Sequence, residues 1–407
     1  MDVSNGGPER PIRRQRDTNE STLYRRSLHR DFKHMKRRAL IASAAALPLL
    51  ARASARAAVS GHSFGPGRPG PLNLITDVAG LRVGQAQDSK ARSGVTVILP
   101  DGRASAAVDV RGGGPGTRET DALDGWNLVR SVDAIVLSGG SVYGLAAADG
   151  VAAWLGAHGR GFSLMKQPGV PPSPIVPTAI LFDLANGGDK NWGMTPPYHD
   201  LAIDAVEHVS DRFSLGTAGA GYGAGAGALK GGLGSASLLT GDGMTIGAIV
   251  GVNSLGSAVV PGTRNFWSGP FEFGQEFGGL GASSARVAGE DWGEAKINPG
   301  ARANTTIACV ATDMALDPDE LKRVAMMAQD GLARAIRPIH SPFDGDVVFA
   351  LSTAKKPLPA GPRQFLVARI GAAAADVLAR AVARGVFEAT LPPGMQGLTW
   401  RTLTAKP

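Results

Sequence analysis

Hydroxyl and carboxylate residues stand directly before two apolar segments of the chain. The triplet Asn304-Thr305-Thr306 precedes segment 307–311, and Asp344-Gly345-Asp346 precedes segment 347–351. If both segments form neighbouring strands, these side chains meet at one edge of a sheet. Asn-Thr and Asp-Gly pairs before a strand are also ordinary turn sequences, so position alone leaves a structural role open.

A threonine hydroxyl is a weak nucleophile that needs a base. Cleavage of the chain directly before such a threonine would free its α-amine, whose ordinary pKa is about 7.7–8.0. That amine lies within reach of the hydroxyl of its own residue and can accept its proton. The pattern therefore allows acyl-transfer chemistry that needs no histidine, beside the structural role.

Other catalytic chemistries lack their motifs. Lys230 follows a glycine run but precedes Gly231, so no phosphate-binding GxxxxGK[ST] motif forms, and no complete GxGxxG dinucleotide unit follows a strand. Ser141 lacks the second glycine of a hydrolase nucleophile elbow. The histidines after the basic segment show no metalloprotease spacing; they are His62, His158, His199, His208 and His340. The one cysteine, Cys309, has the apolar neighbours of a buried structural thiol. We predict no cofactor and no metal.

The chain of 407 residues is 43% hydrophobic, which suits one large or two ordinary domains. Its net charge of +7 arises from residues 1–57, which hold thirteen Lys and Arg against five Asp and Glu. The remainder is nearly neutral, so we expect no nucleic-acid partner.

The basic segment has the layout of an export signal. Lys36, Arg37 and Arg38 precede the apolar run 39–50, and small residues follow to position 58. The paired arginines favour the twin-arginine route to the periplasm. The run is shorter than the roughly 20 residues that span a bilayer, so we expect no integral membrane segment after leader removal. A disordered basic tail is the alternative.

The sequence divides into a leader (1–58), a Gly/Pro linker (59–72) and a single α/β domain (73–407). Hydrophobic periodicity predicts its elements. Strands are expected at 73–84, 94–99, 104–110, 134–137, 178–184, 235–239, 244–252, 307–311 and 347–351. Helices are expected at 123–132, 142–155, 200–209 and 318–334. The glycine-dense stretch 216–234 suits backbone packed against backbone or against a ligand.

Ordered sequence blocks between about residues 73 and 353 identify a family resemblance. The blocks are Ile75–Gly84, Asp109–Thr120, Leu137–Gly150, Lys230–Ser237, Val252-Asn253, Asn304–Asp313 and Phe343–Asp346. With these blocks the chain resembles the self-processing aminopeptidases, which include β-peptidyl aminopeptidases, L-aminopeptidase/D-esterases and nylon-oligomer endo-hydrolases. The resemblance implies a four-layer α/β/β/α sandwich of the N-terminal-nucleophile type.

The same resemblance implies self-cleavage between Asn304 and Thr305. The products would be a large subunit, 59–304, and a small subunit, 305–407, with Thr305 as nucleophile. The implied activity is release of N-terminal amino acids from peptides, β-peptides or amino-acid amides. The implied assembly is a homo-oligomer, a tetramer or larger.

The resemblance also assigns roles around the nucleophile. Asn253 and Tyr143 would stabilise the oxyanion. Asp344 and Asp346 would orient the free amine and, if ionised, raise its pKa. Lys230 matches a family lysine within glycine-rich surroundings. Each residue also has a structural alternative: a core aromatic for Tyr143, and turn residues for Asn253 and the two aspartates.

Several alternatives stay open at this stage. Cleavage before Ser254 or Ser235 would also place a hydroxyl after a turn residue. An endo-hydrolase of ω-amino acid oligomers would share every site residue with an aminopeptidase. An acyl transferase of the ornithine acetyltransferase type and a binding protein that lost the chemistry are further alternatives, although the export signal disfavours the transferase.

Overall fold

The computed structural model describes residues 65, 67–165, 167–296 and 304–404, which belong to one compact unit, 63–407. The predicted leader and the first part of the linker lie outside the described residues. In chain order the strands are β1 (Leu81–Asp88), β2 (Ser93–Pro100), β3 (Ser105–Val110), β4 (Thr117–Arg118), β5 (Ile135–Ser138), β6 (Thr178–Ile180), β7 (Gly225–Ala226), β8 (Leu229–Lys230), β9 (Gly232–Leu239), β10 (Thr245–Asn253), β11 (Thr305–Met314) and β12 (Val347–Lys356).

These strands form two five-stranded sheets and one short hairpin. The first sheet has the order β1-β2-β5-β6-β4, and the second has the order β3-β12-β11-β10-β9. The hairpin pairs β7 with β8. In the second sheet β11 runs antiparallel to β10 and parallel to β12. This arrangement brings the end of β10 and the starts of β11 and β12 to one edge.

Helices cover both sheets. They are α1 (Ala147–Ala157), α2 (Tyr198–Glu207), α3 (Pro318–Ala335) and α4 (Arg363–Phe387). One apolar core joins α1 and α2 to the first sheet, and another joins α3 and α4 to the second sheet. A third core lies between the sheets and includes Leu137 and Phe349. The chain is thus a mixed α/β protein. None of the helices in the described ranges is both long enough and apolar enough to cross a bilayer.

Local chemistry explains where key elements begin. All ten residues of β11 are buried, because a helix layer covers one face and the first sheet covers the other. Such two-sided burial matches its almost continuous apolar sequence. At the start of α3, Asp317 and Glu320 form a capping box, with the Glu320 carboxylate accepting the Asp317 N–H at 2.9 Å. Pro318 follows at the first helical position, where its missing N–H costs nothing.

The structure corrects two element predictions and adds one helix that was not predicted. Segment 123–132 is not a helix: a 3-10 turn at Asp121–Leu123 leads into irregular chain. The first strand does not begin at residue 73, because a 3-10 turn occupies Ile75–Asp77 and β1 starts at Leu81. The Asp77 carboxylate accepts two upstream backbone N–H groups and stabilises that turn. The helix α4 was not predicted from the sequence, although its alanine-rich composition favours helix.

A buried ion pair anchors α4. The Arg380 guanidinium is 1% exposed, donates to both carboxylate oxygens of Glu276 at 2.6 and 2.8 Å, and donates to the carbonyl oxygen of Ser237 at 2.7 Å. Breaking such a pair leaves a buried charge without its partner. We expect Arg380→Met to lower the free energy of unfolding by about 3 kcal/mol in urea titrations. The double variant Arg380→Met/Glu276→Gln should recover part of that loss, and equal losses in both variants would contradict the explanation.

Candidate active site

The edge of the second sheet brings four predicted site residues together. Asn253 ends β10 and pairs with Thr305, the first residue of β11. Because β12 runs parallel to β11, with Ile307 opposite Val347, the residues just before β12 lie at the same edge. Segments 307–311 and 347–351 therefore lie in neighbouring strands, the condition under which the sequence brings Asp344 and Asp346 to the edge that holds Thr305.

Asp346 is fully buried and holds the start of β11. Its Oδ1 accepts the backbone N–H of Thr306 at 2.8 Å, and its Oδ2 accepts the backbone N–H of His340 at 3.1 Å. The His340 ring Nδ1 lies 2.9 Å from the same Oδ2. The carboxylate thus ties the residue after Thr305 to the loop that precedes β12.

Asp344 is buried beside Asp346 and is held by other groups. Its Oδ1 accepts the N–H of Leu255 at 3.1 Å, and its Oδ2 accepts the N–H of Ser341 at 3.2 Å. Burial raises the pKa of Asp344, and the neighbouring negative charge of Asp346 raises it further. Ionisation of Asp344 therefore lowers the free energy of unfolding.

That cost gives a pH-dependent prediction. The raised pKa stabilises the fold below the ordinary Asp pKa of about 3.9, and this contribution is lost as pH rises through the folded-state value. In the uncut Thr305→Ala chain, Asp344→Asn removes the titration, so its melting temperature relative to the same chain with Asp344 should be higher at pH 8 than at pH 4. Asp330→Asn changes an exposed carboxylate of α3 and is the matched control. A relative melting temperature that is equal or lower at pH 8 would contradict the prediction.

Glycines let the loop that carries Asp344 and Asp346 lie close to Thr305. The N–H of Gly114 donates to the carbonyl oxygen of Asp344 at 2.7 Å. A Cβ on Gly112 would lie 2.3 Å from the backbone nitrogen of Asp346, and a Cβ on Gly345 would lie 2.9 Å from the Thr305 Oγ. Any larger residue at Gly112 would therefore displace the loop that carries both carboxylates.

Thr305 is buried, and its hydroxyl donates to the carbonyl oxygen of Asn304, across the predicted scissile bond. The rival hydroxyls are engaged elsewhere. The Ser254 hydroxyl donates to Gly256 O at 2.8 Å, and that of Ser235 donates to Ala248 O at 2.7 Å. Among these three candidate cleavage positions, Thr305 is the one whose hydroxyl contacts the carbonyl oxygen of the preceding residue.

A cavity of about 320 Å³ opens beside this edge. Glycine, alanine and leucine residues form much of its wall, including Gly223–Gly225 and Leu398. Its polar lining includes Asp183, Asn186, Lys230, Asn253, Lys296 and Asn304. The cavity therefore joins the predicted Asn253 and Lys230 to the residue that precedes Thr305.

Lys230 is buried in the glycine-rich segment. Its ammonium donates to three backbone carbonyl oxygens, those of Gly221, Ala224 and Gly231, at 3.1, 2.9 and 2.8 Å. Burial lowers its pKa to about 7, against the opposing charge of Asp183. The glycine-dense stretch thus lets buried backbone carbonyl oxygens converge on one lysine.

The Asn253 amide is fixed at both ends. Its Nδ2 donates to the carbonyl oxygen of Phe182 at 2.9 Å, and its Oδ1 accepts the N–H of Gly225 at 2.9 Å. The orientation of the amide is therefore set by the chain that follows β6 and by β7.

Tyr143 lies apart from the cavity lining. It belongs to a 3-10 turn at Ser141–Ala146, is 46% exposed, and packs edge-on against Trp192 with ring centroids 5.6 Å apart.

Sequence reasoning missed three polar groups of this region. Lys296 donates to Asn304 Oδ1 at 2.8 Å, and this lysine belongs to no sequence motif. Asp183 interrupts an apolar run, a signal that a charged residue has a buried partner; it accepts the N–H of Gly140 at 2.8 Å. Burial raises the pKa of Asp183 to about 6. His340 was considered only as a metal ligand, whereas it contacts Asp346.

Cys309 is fully buried in the core between the sheets, and burial raises the pKa of its thiol. This matches the predicted structural role. Among the described residues no group of three or more His, Cys, Asp or Glu side chains is arranged to hold a metal ion.

Comparison with known proteins now places the chain. The model of Peptidase family S58 matches residues 73–400. An uncharacterized aminopeptidase of Mycobacterium bovis is 45% identical over 339 residues, which cover 78% of this chain and 94% of that protein. A 6-aminohexanoate-oligomer endohydrolase of Kocuria sp. is 31% identical over 303 residues, covering 72% of this chain and 78% of the relative.

A solved structure supports the fold at lower identity. The L-aminopeptidase D-Ala-esterase/amidase from Ochrobactrum anthropi, described as a variant of the Ntn hydrolase fold, superimposes with a TM-score of 0.59 at 22% identity. The match covers 83% of this chain and 94% of that one. Together with the family match, this likeness confirms the resemblance drawn from the sequence blocks. The chain belongs to Peptidase family S58 and is a hydrolase of peptide or amide bonds.

Proposed function

We propose that this peptidase cleaves itself between Asn304 and Thr305 and then uses Thr305 as its N-terminal nucleophile. The observation that carries the proposal is the contact of the Thr305 hydroxyl with the Asn304 carbonyl oxygen. It occurs where Asn253 and the Asp346-bound start of β11 converge. Hydroxyl and carbonyl are thus already neighbours in the uncut chain.

Self-cleavage begins with an acyl shift. Oγ of Thr305 attacks the carbonyl carbon of Asn304, the C–N bond breaks, and the hydroxyl proton goes to the departing nitrogen. Water then hydrolyses the resulting ester, which leaves a carboxylate on Asn304 and a free α-amine on Thr305. This amine is the base that the intact chain lacks.

Substrate hydrolysis repeats the chemistry between molecules. The free amine takes the hydroxyl proton, Oγ attacks the amide carbonyl, and the protonated amine assists the leaving nitrogen. Asn253 lines the cavity as the proposed oxyanion donor, a role that contributes about 2.7–4 kcal/mol per donor. Asp344 and Asp346 are proposed to hold the new amine. An oxyanion role for Tyr143 and a catalytic role for Lys230 stay predictions.

We propose N-terminal amino acids as the acyl groups, released from peptides, β-peptides or amino-acid amides. A cavity of about 320 Å³ is at the small end of ligand sites and suits one aminoacyl group. Relatives named as aminopeptidases favour the same activity over acyl transfer. Endo-hydrolysis of ω-amino acid oligomers is the second candidate, because the Kocuria relative is named for that activity.

Three further expectations accompany this proposal. The cores on both sides of each sheet support the four-layer α/β/β/α arrangement of self-processing hydrolases. Export by the twin-arginine route stays a prediction from residues 1–58. A homo-oligomer, a tetramer or larger, stays a prediction from the resemblance.

Intact-mass measurement of the purified protein tests the proposal. We expect two chains, the smaller being residues 305–407, and hydrolysis of aminoacyl and β-aminoacyl p-nitroanilides by the cut form. Preference for 6-aminohexanoate oligomers over these amides would favour the second candidate. A fully active uncut chain, or cleavage at another bond, would overturn the proposal.

A further inference from the structure

The amine of Lys296 lies on the acyl side of the proposed scissile bond. Its Nζ donates to Oδ1 of Asn304 at 2.8 Å, and both side chains line the same cavity. The amide nitrogen of Asn304 is buried, and among the described residues it has no hydrogen-bond partner. Among the hydrogen bonds recorded for the described residues, the side chain of Asn304 is therefore held through its oxygen by Lys296.

The backbone of Lys296 is itself fixed. Its N–H donates to the carbonyl oxygen of Leu255 at 2.9 Å, just after β10. Two residues earlier, the Glu294 carbonyl oxygen accepts the N–H of Ala228 at 2.6 Å in the β7–β8 hairpin. A Cβ on Gly227 would lie 2.1 Å from the same oxygen, so the hairpin approaches this segment closely. The amine is thus anchored to elements that also carry Asn253 and Lys230.

Attack on a peptide bond needs both of its sides held. The Thr305 side is fixed by pairing with Asn253 and by the bond from Thr306 to Asp346. On the other side, the carbonyl oxygen of Asn304 accepts the Thr305 hydroxyl while its side chain is held by Lys296. Rotation of residue 304 would move its carbonyl carbon away from Oγ, and a misplacement of 1 Å can cost about 100-fold in rate.

We propose that Lys296 is a positioning residue for self-cleavage, which holds the side chain of Asn304 so that its carbonyl carbon faces the Thr305 hydroxyl. This inference rests on the proposed self-cleavage. Lys296 is not the base in this scheme; it acts through Asn304. Burial lowers its pKa to about 8, so it retains a proton to donate through the neutral range.

The test is the cleavage rate of chains made by cell-free synthesis and followed by intact mass. We expect Lys296→Met to slow cleavage by about 100-fold and Lys296→Arg, which keeps a donor, to slow it far less. Asn304→Leu should slow cleavage to a similar extent without touching Lys296. If the two residues act as a pair, Lys296→Met/Asn304→Leu should be no slower than either single variant.

The controls separate folding, this inference and the proposed function. Uncut Lys296→Met and uncut Thr305→Ala should have equal melting temperatures if the lysine is not needed for folding. If Lys296→Met is unstable, the Asn304→Leu variant still tests the pair. Multiplying effects in the double variant, or wild-type cleavage by Lys296→Met, would overturn the inference alone. An unsubstituted chain that never cuts before Thr305 would instead overturn the proposed function.

Discussion

Thr305→Ala should leave the chain uncut and reduce amide hydrolysis by at least about 10⁴-fold, because the substitution removes the attacking oxygen of both reactions. Thr305→Ser keeps a hydroxyl at the same place and should cut itself and hydrolyse amides at a measurable rate. Intact mass reports the first reaction, and release of p-nitroaniline from aminoacyl p-nitroanilides reports the second. The Thr305 side chain is 2% exposed, so loss of its methyl in the Ser variant should cost some stability as well.

Two further substitutions distinguish Thr305 from the rival hydroxyls. Ser254→Ala and Ser235→Ala should both still yield the chain 305–407. The Ser235 hydroxyl accepts the N–H of Ile75 at 2.8 Å and donates within the sheet, so its loss should lower stability rather than cleavage. Cleavage of the Thr305→Ala chain at the same bond would contradict the assignment of Thr305 as nucleophile. So would loss of cleavage before Thr305 in either serine variant with the fold intact.

The sequence predicted the meeting of Thr305 with Asp344 and Asp346 because both signals are local. Each group directly precedes a buried apolar run, and a parallel pair of such runs aligns their starts. The α/β class followed from the same periodicity, whereas the four-layer arrangement was implied only by the family resemblance. The predicted helix at 123–132 failed because the turn chemistry of the Asp124-Gly125 pair outweighed a weak helical pattern.

Contacts between distant segments left no such signal. Lys296 and Asn304 stand eight positions apart in the sequence, and the charge type and spacing of the lysine match no motif. His340 contacts Asp346 from six residues away, at a left-handed backbone position with φ +57°. For Tyr143 there was a sequence signal, because its block matched a family. The structure nevertheless places its side chain on an exposed 3-10 turn. The start of a buried strand can be read from a sequence pattern, whereas the packing of distant side chains over the edge of its sheet cannot.

Asp346→Asn should reduce processed activity by about 100-fold because three donors converge on its two oxygens. An amide offers one oxygen, so its NH₂ group would face either the Thr306 N–H or both donors of His340. Whichever orientation it takes, the loop before β12 and the start of β11 separate. The expected signature is a lower kcat with little change in KM, because the cavity wall itself is unchanged. We also expect Asp346→Asn to have a lower free energy of unfolding, because a buried donor is left unpaired.

His340 provides the matched pair that isolates this geometry. Asn and Gly both tolerate a left-handed φ, but Asn places an N–H donor near the position of the histidine Nδ1. We expect His340→Asn to keep near-normal kcat and His340→Gly to lose about tenfold, through the freedom that Asp346 gains. Equal activities in the two variants would show that the ring contact with Asp346 contributes nothing to placing Thr305. In that case the carboxylate would be positioned by the backbone N–H groups of Thr306 and His340 alone, which both variants retain.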